Sequence, residues 1–340
     1  MITMPTASLK DIAEKAGVSV TLVSYVLNNQ HENRIKKETA DKIRKVAKSL
    51  NYQKNIVARS LKTSKTQSIG LIVSDIANPF FSQLARCIED EADRQGYALI
   101  FASSDEDPAK FKRMLDFMAT RQVDGLLIAA PAGSESAIRS LKKTRVPFIL
   151  IDRYFPSVKS DYVGLNNYDA AYTAVNHLLS QQKKRIGMIG FSTPLHTLQE
   201  RTRAYQDALK NAGIRPDKTW LKELGTTVSY AEIKAALEEL LKLPKPIDSV
   251  FCASNLMSGY SLQFIHAMQL KVPETIALVG FDSMDDFELF DSPYAYIRQP
   301  IREMGSLAIQ QLLAKLNGIS KTAFLELQAE LILKHPVRHI

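Results

Sequence analysis

Residues 8–29 read SLKDIAEKAGVSVTLVSYVLNN, and their spacing predicts two short helices. Ser8 is placed to cap the first, with Asp11 three residues later in the capping-box position, where Glu or Gln is more usual. Leu9, Ile12, Ala13 and Ala16 then recur at helical spacing. Gly17 stands where the chain must turn through positive φ, a region open to a residue without Cβ. Ser19 caps a second helix whose apolar positions are Leu22, Val23, Val26 and Leu27. Two helices joined by a Gly-containing turn of about three residues make a helix-turn-helix. In that motif the first turn of the second helix enters the DNA major groove. The side chains off its apolar face are Val20, Thr21, Ser24, Tyr25 and Asn28. Hydroxyl, phenol and amide groups can bond base edges or phosphates, and Val20 can pack on a thymine methyl.

A plain helical bundle with a solvated polar face would show the same periodicity, so the flanking sequence matters. A third amphipathic helix, KKETADKIRKVAKSLNY (36–52), carries positive charge on its exposed side. After it comes NIVARSLKT (55–63), with Ala58 and Leu61 three residues apart and Arg59 and Lys62 beside them. Charge points the same way. Residues 1–66 hold 13 basic and 5 acidic side chains, a net +8. The remaining 31 of the 44 Lys and Arg are balanced by the remaining 31 of the 36 Asp and Glu. A small module for a polyanion joined to a neutral body fits this asymmetry; a uniformly basic protein does not. An RNA-binding module would interleave stacking aromatics with its basic residues, but Tyr25 and Tyr52 are the only aromatics in residues 1–66.

Residues 67–340 alternate apolar runs with amphipathic stretches. Strands are expected at 69–75, 97–102, 125–129, 148–152, 185–191, 249–253 and 277–281, and helices at 80–95, 169–180, 201–212, 230–241 and 302–316. This β-then-α repetition predicts an α/β body of two doubly wound lobes with parallel sheets. Such sheets bind ligands at the carboxyl ends of their strands. Asp75, Asn78, Phe80 and Phe81 follow the first strand, Asp152 and Arg153 the fourth, and Asp282 the strand ending GF, while Arg201 is expected to open the helix after FSTPLHTLQE (191–200). Asp, Asn and Arg beside aromatic rings suit a small polyol, because planar forks bond vicinal hydroxyls and a ring packs on the sugar face.

No catalytic residue, cofactor or metal is expected. The first strand is not followed by GxGxxG, and neither a P-loop nor a GxSxG elbow occurs; IGMIGFS (186–192) reads as close strand packing. The six histidines (31, 177, 196, 266, 335 and 339) show no metal-ligand spacing with a third partner, and Asp285–Asp286 reads as loop charge. Cys87 and Cys252, far apart and each in an apolar pattern, are expected to be buried free thiols. No apolar run approaches the roughly 20 residues that span a bilayer, and the start has no signal-peptide pattern, so a cytoplasmic protein without membrane partners is expected.

The motifs AxLKDIAEKAGVS, TLVSYVLN, LNYxxNxVARSLK and SIGLIV, collinear from Ala7 onward, resemble the lactose-repressor/galactose-repressor (LacI/GalR) family of bacterial transcription regulators. The resemblance implies a helix-turn-helix headpiece (1–54), a hinge helix and linker (55–66), and an effector-binding, dimerising body (67–340) like the periplasmic sugar-binding proteins. Its N-lobe would comprise about 67–166 and 299–328, and its C-lobe about 167–298 and 329–340. It further implies base contacts from Val20, Thr21, Ser24, Tyr25 and Asn28, phosphate contacts from Ser19, Tyr52 and Asn55, and a hinge segment with Ala58 and Lys62 in which Leu61 wedges into the minor groove. The implied partners are a pseudo-palindromic duplex operator, a second copy of the chain, and a small effector, a sugar ahead of a nucleoside. Arg201, Asp282, Phe80, Phe81, Asp75, Asp152, Arg153, Asn166, Thr197 and Asn255 are the implied effector contacts. Asn166 stands where an aspartate is common, Ser254–Asn255 replace a frequent Asn-Asp pair, Lys54 replaces a common proline, and QHENRIKKET (30–39) is a longer connection than usual. Leu195 and Thr197 depart from the purine-responsive branch.

Overall fold

The computed structural model describes residues 7–52, 65–282, 294–319 and 322–334. Asn55, Ala58, Leu61, Lys62, Asp285, Asp286, His335 and His339 lie outside the described residues. The chain divides into two compact units, Met1–Thr66 and Gln67–Ile340.

The first unit contains helices α1 (Leu9–Ala16), α2 (Val20–Leu27) and α3 (Lys37–Ser49). The expected capping box is present despite its Asp: the Asp11 amide donates to Ser8 Oγ at 3.3 Å, and the Ser8 amide donates to the Asp11 carboxylate at 2.7 Å. The Ser8 amide and hydroxyl, both donating to the Asp11 carboxylate, hold it below its ordinary range. Gly17 adopts φ 66°, and Ser19 Oγ accepts from the Leu22 amide. Ile12, Ala13, Ala16, Val23, Val26, Ile43 and Ala47 form the core, with Leu9, Leu22 and Leu27 half-buried against it. The 30–36 connection contains a short 3-10 turn, Glu32–Arg34, and α3 starts without a side-chain cap at Lys36.

The second unit is built on two six-stranded sheets. The first contains β1 (Ser68–Val73), β2 (Ala98–Ser103), β3 (Gly125–Ile128), β4 (Phe148–Ile151), β5 (Tyr162–Leu165) and β11 (Phe324–Leu327), in the order β11-β5-β4-β3-β1-β2. The second contains β6 (Ile186–Phe191), β7 (Leu221–Leu224), β8 (Ser249–Cys252), β9 (Ala277–Phe281), β10 (Tyr294–Arg298) and β12 (Glu330–Lys334), in the order β12-β10-β9-β8-β6-β7. The two orders have the same topology, station by station, so β4 corresponds to β9 and β5 to β10. All pairings are parallel except β10 with β12. That antiparallel edge departs from the all-parallel expectation. β12 follows β11 after two residues and so enters the second sheet from the opposite end.

Helices α4 (Pro79–Arg94), α5 (Pro108–Thr120), α6 (Glu135–Leu141), α7 (Asn167–Ser180), α8 (His196–Asn211), α9 (Tyr230–Leu241), α10 (Asn255–Ala267) and α11 (Ile301–Leu316) cover the sheets. The chain changes sheet between β5 and α7, again before α11, which packs on β3, β4 and β5, and finally between β11 and β12. One helix start differs from expectation: α8 begins at His196, so Arg201 lies in its second turn rather than at its mouth. The N-cap Leu195 makes no side-chain bond, so the usual start signal is absent. Cys252 is buried and free, its thiol pushed up to about 12 by burial, whereas Cys87, expected to be buried, is free but half-buried.

Candidate functional site

Strand ends build the cleft. Asp152 follows β4 and Asp282 follows β9, the same station in the two sheets, and both adopt φ 64°. Each amide donates to the neighbouring strand, Asp152 to Val163 O at 3.0 Å and Asp282 to Ile297 O at 2.8 Å. A left-handed backbone at a residue other than Gly turns each carboxyl off its strand at a cost that Asp tolerates better than most. Tyr162, on β5, buries its ring and donates to the Asp152 carbonyl at 3.1 Å. A Cβ on Gly164 would fall 2.0 Å from that hydroxyl, so glycine is required there.

Two guanidiniums meet these carboxylates. Arg153 donates both terminal nitrogens to Glu106, at 2.9 and 2.7 Å, and its Nε is 3.5 Å from Asp152 Oδ2. Its guanidinium also lies 5.5 Å from the Phe81 ring centroid. Arg201 donates Nε to Asn167 Oδ1 at 2.8 Å and Nη1 to the Ala253 carbonyl at 2.7 Å, with its Cζ 3.5 Å from the Phe281 ring centroid. Gln299 donates to Asp282 Oδ2 at 3.0 Å. Asn78 caps α4 through the Phe80 amide and also accepts from Asn255 Nδ2 at 2.9 Å, a bond from the first sheet's side of the cleft to the second's.

Burial controls the titration. Asp282 is pushed up to about 7 by burial, which outweighs the opposing pull of Arg201 and of the Gln299 hydrogen bond. Asp152 is raised for the same reason, against Arg153 and Arg201. Burial draws Arg201 down to about 10, which leaves it charged at neutral pH. For Arg153 burial pulls downward, but the Glu106 hydrogen bonds and charge win and raise it.

Asp75, Phe80, Phe81, Asp152, Arg153, Arg201, Asn255 and Asp282 therefore line one cavity, together with Asn78, Glu106, Phe191, Leu198, Val228 and Gln299. Its volume is about 90 Å³. Small-molecule sites start at roughly 300 Å³, so the cleft is narrow and its walls must part to admit a ligand. Two expected contacts are not in the lining. Asn166 caps α7, accepting from the Asp169 amide at 3.0 Å and donating to its carboxylate at 2.7 Å. Thr197 is buried in the first turn of α8, its hydroxyl without a hydrogen-bond partner.

In the first unit, Ser19, Val20, Thr21 and Asn28 are exposed, and Ser24, Tyr25 and Tyr52 are half-buried. The Asn28 amide donates back to the Ser24 carbonyl at 2.9 Å, and the Tyr25 ring meets His31 edge-on at 4.8 Å.

Residues 8–55 match the bacterial regulatory proteins of the lacI family, and residues 66–336 match the periplasmic binding proteins and sugar binding domain of LacI family. The chain belongs to the LacI family. It is a helix-turn-helix transcription regulator with a ligand-binding body, as the motifs of its first third imply. Among LacI-family relatives it is 31% identical over 312 residues to the HTH-type transcriptional repressor CytR of Escherichia coli (strain K12), covering 92% of this chain and 90% of that protein. It is 28% identical over 339 residues to the HTH-type transcriptional repressor PurR of Haemophilus influenzae (strain PittEE), covering 98% and 99%. The fold is that of the Lac repressor dimer bound to operator and the anti-inducer ONPF, with TM-score 0.85 at 22% identity, covering 96% of this chain and 98% of that one.

This LacI-family cleft also holds residues that the motifs did not single out. Glu106 sits in SSDEDP after β2, where the strand-end rule applied to that loop would have found it. Gln299 lies in the crossing between β10 and α11, where nothing in the local pattern marks it. Among the described residues no group of three His, Cys, Asp or Glu could hold a metal, and no helix is long and apolar enough to cross a membrane.

Proposed function

We propose that this chain represses transcription as a homodimer on a pseudo-palindromic duplex operator, and that a small molecule in the body cleft switches it. The carrying observation is that Asp152, Arg153 and Asp282, from strand ends of both sheets, and Arg201, from the second turn of α8, line one narrow cavity beside Phe80 and Phe81. Planar polar forks next to aromatic rings support a sugar or sugar derivative, with a nucleoside second. The matched family description, a sugar binding domain, supports the same order. The reading contains no catalytic step and places the protein in the cytoplasm.

The roles follow the division into headpiece (1–54), hinge (55–66) and two-lobed body (67–340). Val20, Thr21, Ser24, Tyr25 and Asn28 read bases; Ser19, Tyr52 and Asn55 hold phosphates. Ala58, Leu61 and Lys62 serve the minor groove, Leu61 as the wedge. Exposure of Val20, Thr21 and Asn28 supports the first set. Asp75, Phe80, Phe81, Asp152, Arg153, Arg201, Asn255 and Asp282 contact the effector; Asn166 and Thr197 support it from behind, at the starts of α7 and α8. Ligand entry parts the walls of the cleft and changes the spacing of the hinges, a coupling free energy between two sites.

One experiment tests both halves. Operator binding of the full chain is followed by anisotropy while sugars and nucleosides, first selected by thermal shift, are added. A ligand at about 100 times its dissociation constant adds roughly 2.7 kcal/mol of stability. A ligand that stabilises the body and changes operator affinity supports the reading. Monomeric protein at micromolar concentration that binds only half-sites would remove the dimer.

A further inference from the structure

Glu106 and its predecessor Asp105 both adopt positive φ, 57° and 51°, in a loop with neither residue a glycine. The Glu106 amide donates to the Ser74 carbonyl at 2.9 Å, which holds this turn against the end of β1. From there the carboxylate takes both terminal nitrogens of Arg153 in a bidentate pair, with side-chain exposures of 14% and 8%. Asp152 stands beside the third nitrogen. Arg153 therefore has its charge, and one N–H of each terminal nitrogen, taken up by Glu106. The other guanidinium, Arg201, has already committed Nε and Nη1 to the protein.

The lining contains four carboxylates, Asp75, Glu106, Asp152 and Asp282, against these two guanidiniums, and no lysine. The buried Gln299 Oε1 has no hydrogen-bond partner and adds an acceptor. Even with Asp282 partly protonated near neutral pH, such a wall offers acceptors and no net positive charge. Hydroxyl groups can donate to it, whereas a phosphate or carboxylate would meet like charge where solvent screens it poorly.

We propose that Glu106 sets the charge of the ligand: by cancelling Arg153 it fits the cleft to an uncharged polyhydroxylated molecule and turns phosphorylated ones away. This deepens, and rests on, the assignment of the cleft as the ligand site. Glu106 is a specificity residue that works through Arg153.

The test uses full-length protein and inorganic phosphate as probe, titrated calorimetrically into wild type, Glu106→Gln, and the double variant Glu106→Gln/Arg153→Met. Phosphate bound by the basic headpiece is common to all three, so differences report the cleft. Glu106→Gln keeps the shape of the pair but frees the guanidinium charge. It is expected to bind phosphate roughly tenfold or more tightly than either of the others. Equal binding by all three, or wild type binding as tightly as Glu106→Gln, overturns the proposal.

A second arm needs only wild type and stands if the variant does not fold. Ribose and ribose 5-phosphate, glucose and glucose 6-phosphate, and adenosine and its 5′-monophosphate are compared by thermal shift. The unphosphorylated member of a binding pair is expected to give the larger shift; a larger shift from the phosphorylated member overturns the proposal. So does silence of every pair together with no phosphate gain in Glu106→Gln. A neutral ligand that binds but leaves operator affinity unchanged counts against the switching role and not against Glu106 as selector.

Discussion

The two units put their working side chains in opposite surroundings. On α2, Val20 and Thr21, assigned to base reading, stand at the surface, with Val20 44% exposed, and Ser24 and Tyr25 are half-buried. In the cleft, Arg201, Arg153, Asp152 and Asp282 are all at or below 9% exposure. A groove of DNA must be reached from outside, so the headpiece leaves its readers in water and needs only a small core beneath them. A small ligand is surrounded, so the body buries its charges, and each must then be held by a partner. Substitutions in the two places should therefore differ in kind. In the cleft they cost stability as well as binding; on α2 they cost discrimination and leave the fold intact.

The largest expected effect is in the cleft. Arg201→Ala leaves the Asn167 and Ala253 oxygens without this donor and Asp282 without its compensating charge. Removing one partner of a buried charged network costs about 3–5 kcal/mol. Urea denaturation of the full chain should show that loss in the body transition, and the ligand response of operator binding should vanish. An unchanged transition would contradict the claim that Arg201 is a structural part of the cleft.

The titration of Asp282 sharpens the contrast. Its folded value of about 7 lies above the ordinary 3.8, so between these values the folded state holds a proton that the unfolded state has released. Its contribution to stability is thus complete below about 3.8 and is lost as pH rises through about 7. The slope is at most about 1.4 kcal/mol per pH unit. Denaturation midpoints measured from pH 5 to 7.5 should fall for wild type and flatten for Asp282→Asn; parallel curves would deny that Asp282 titrates there.

On α2, Thr21→Ala should cost about 1–3 kcal/mol at a single operator base pair and leave thermal stability unchanged. Competition among operators varied one position at a time checks this, and uniform weakening across all sequences would make Thr21 a phosphate contact. The smallest effect belongs to the first helix. Ser8→Ala removes a cap worth about 1 kcal/mol of headpiece stability. Ligand binding to the body should not change, and circular-dichroism melting alongside ligand titration separates the two.

How much of this could be read in advance follows the same division. The capping box at Ser8 and Asp11, the turn at Gly17 and the apolar faces of α1 and α2 are relations within about four residues, and all are present as expected. In the body, strands such as Gly125–Ile128 and Phe148–Ile151 were legible as continuous apolar runs. The short strands Leu221–Leu224 and Phe324–Leu327, half-exposed at sheet edges, gave no such run. Arg201, expected at the mouth of its helix, lies one turn further in, because the helix starts without a capping side chain that would mark it.

The sequence by itself determined the helix-turn-helix, the α/β alternation of the body, and the polar residues waiting at strand ends. All of these are local patterns of spacing, capping and charge. Only the tertiary structure decided that Glu106 cancels Arg153, 47 residues away, and that Asn78 bonds Asn255, 177 residues away. It alone brought Asp152 and Asp282 to matching stations with the same left-handed backbone. Pairings of that kind depend on how two sheets close around one cavity, and no periodicity along the chain encodes them.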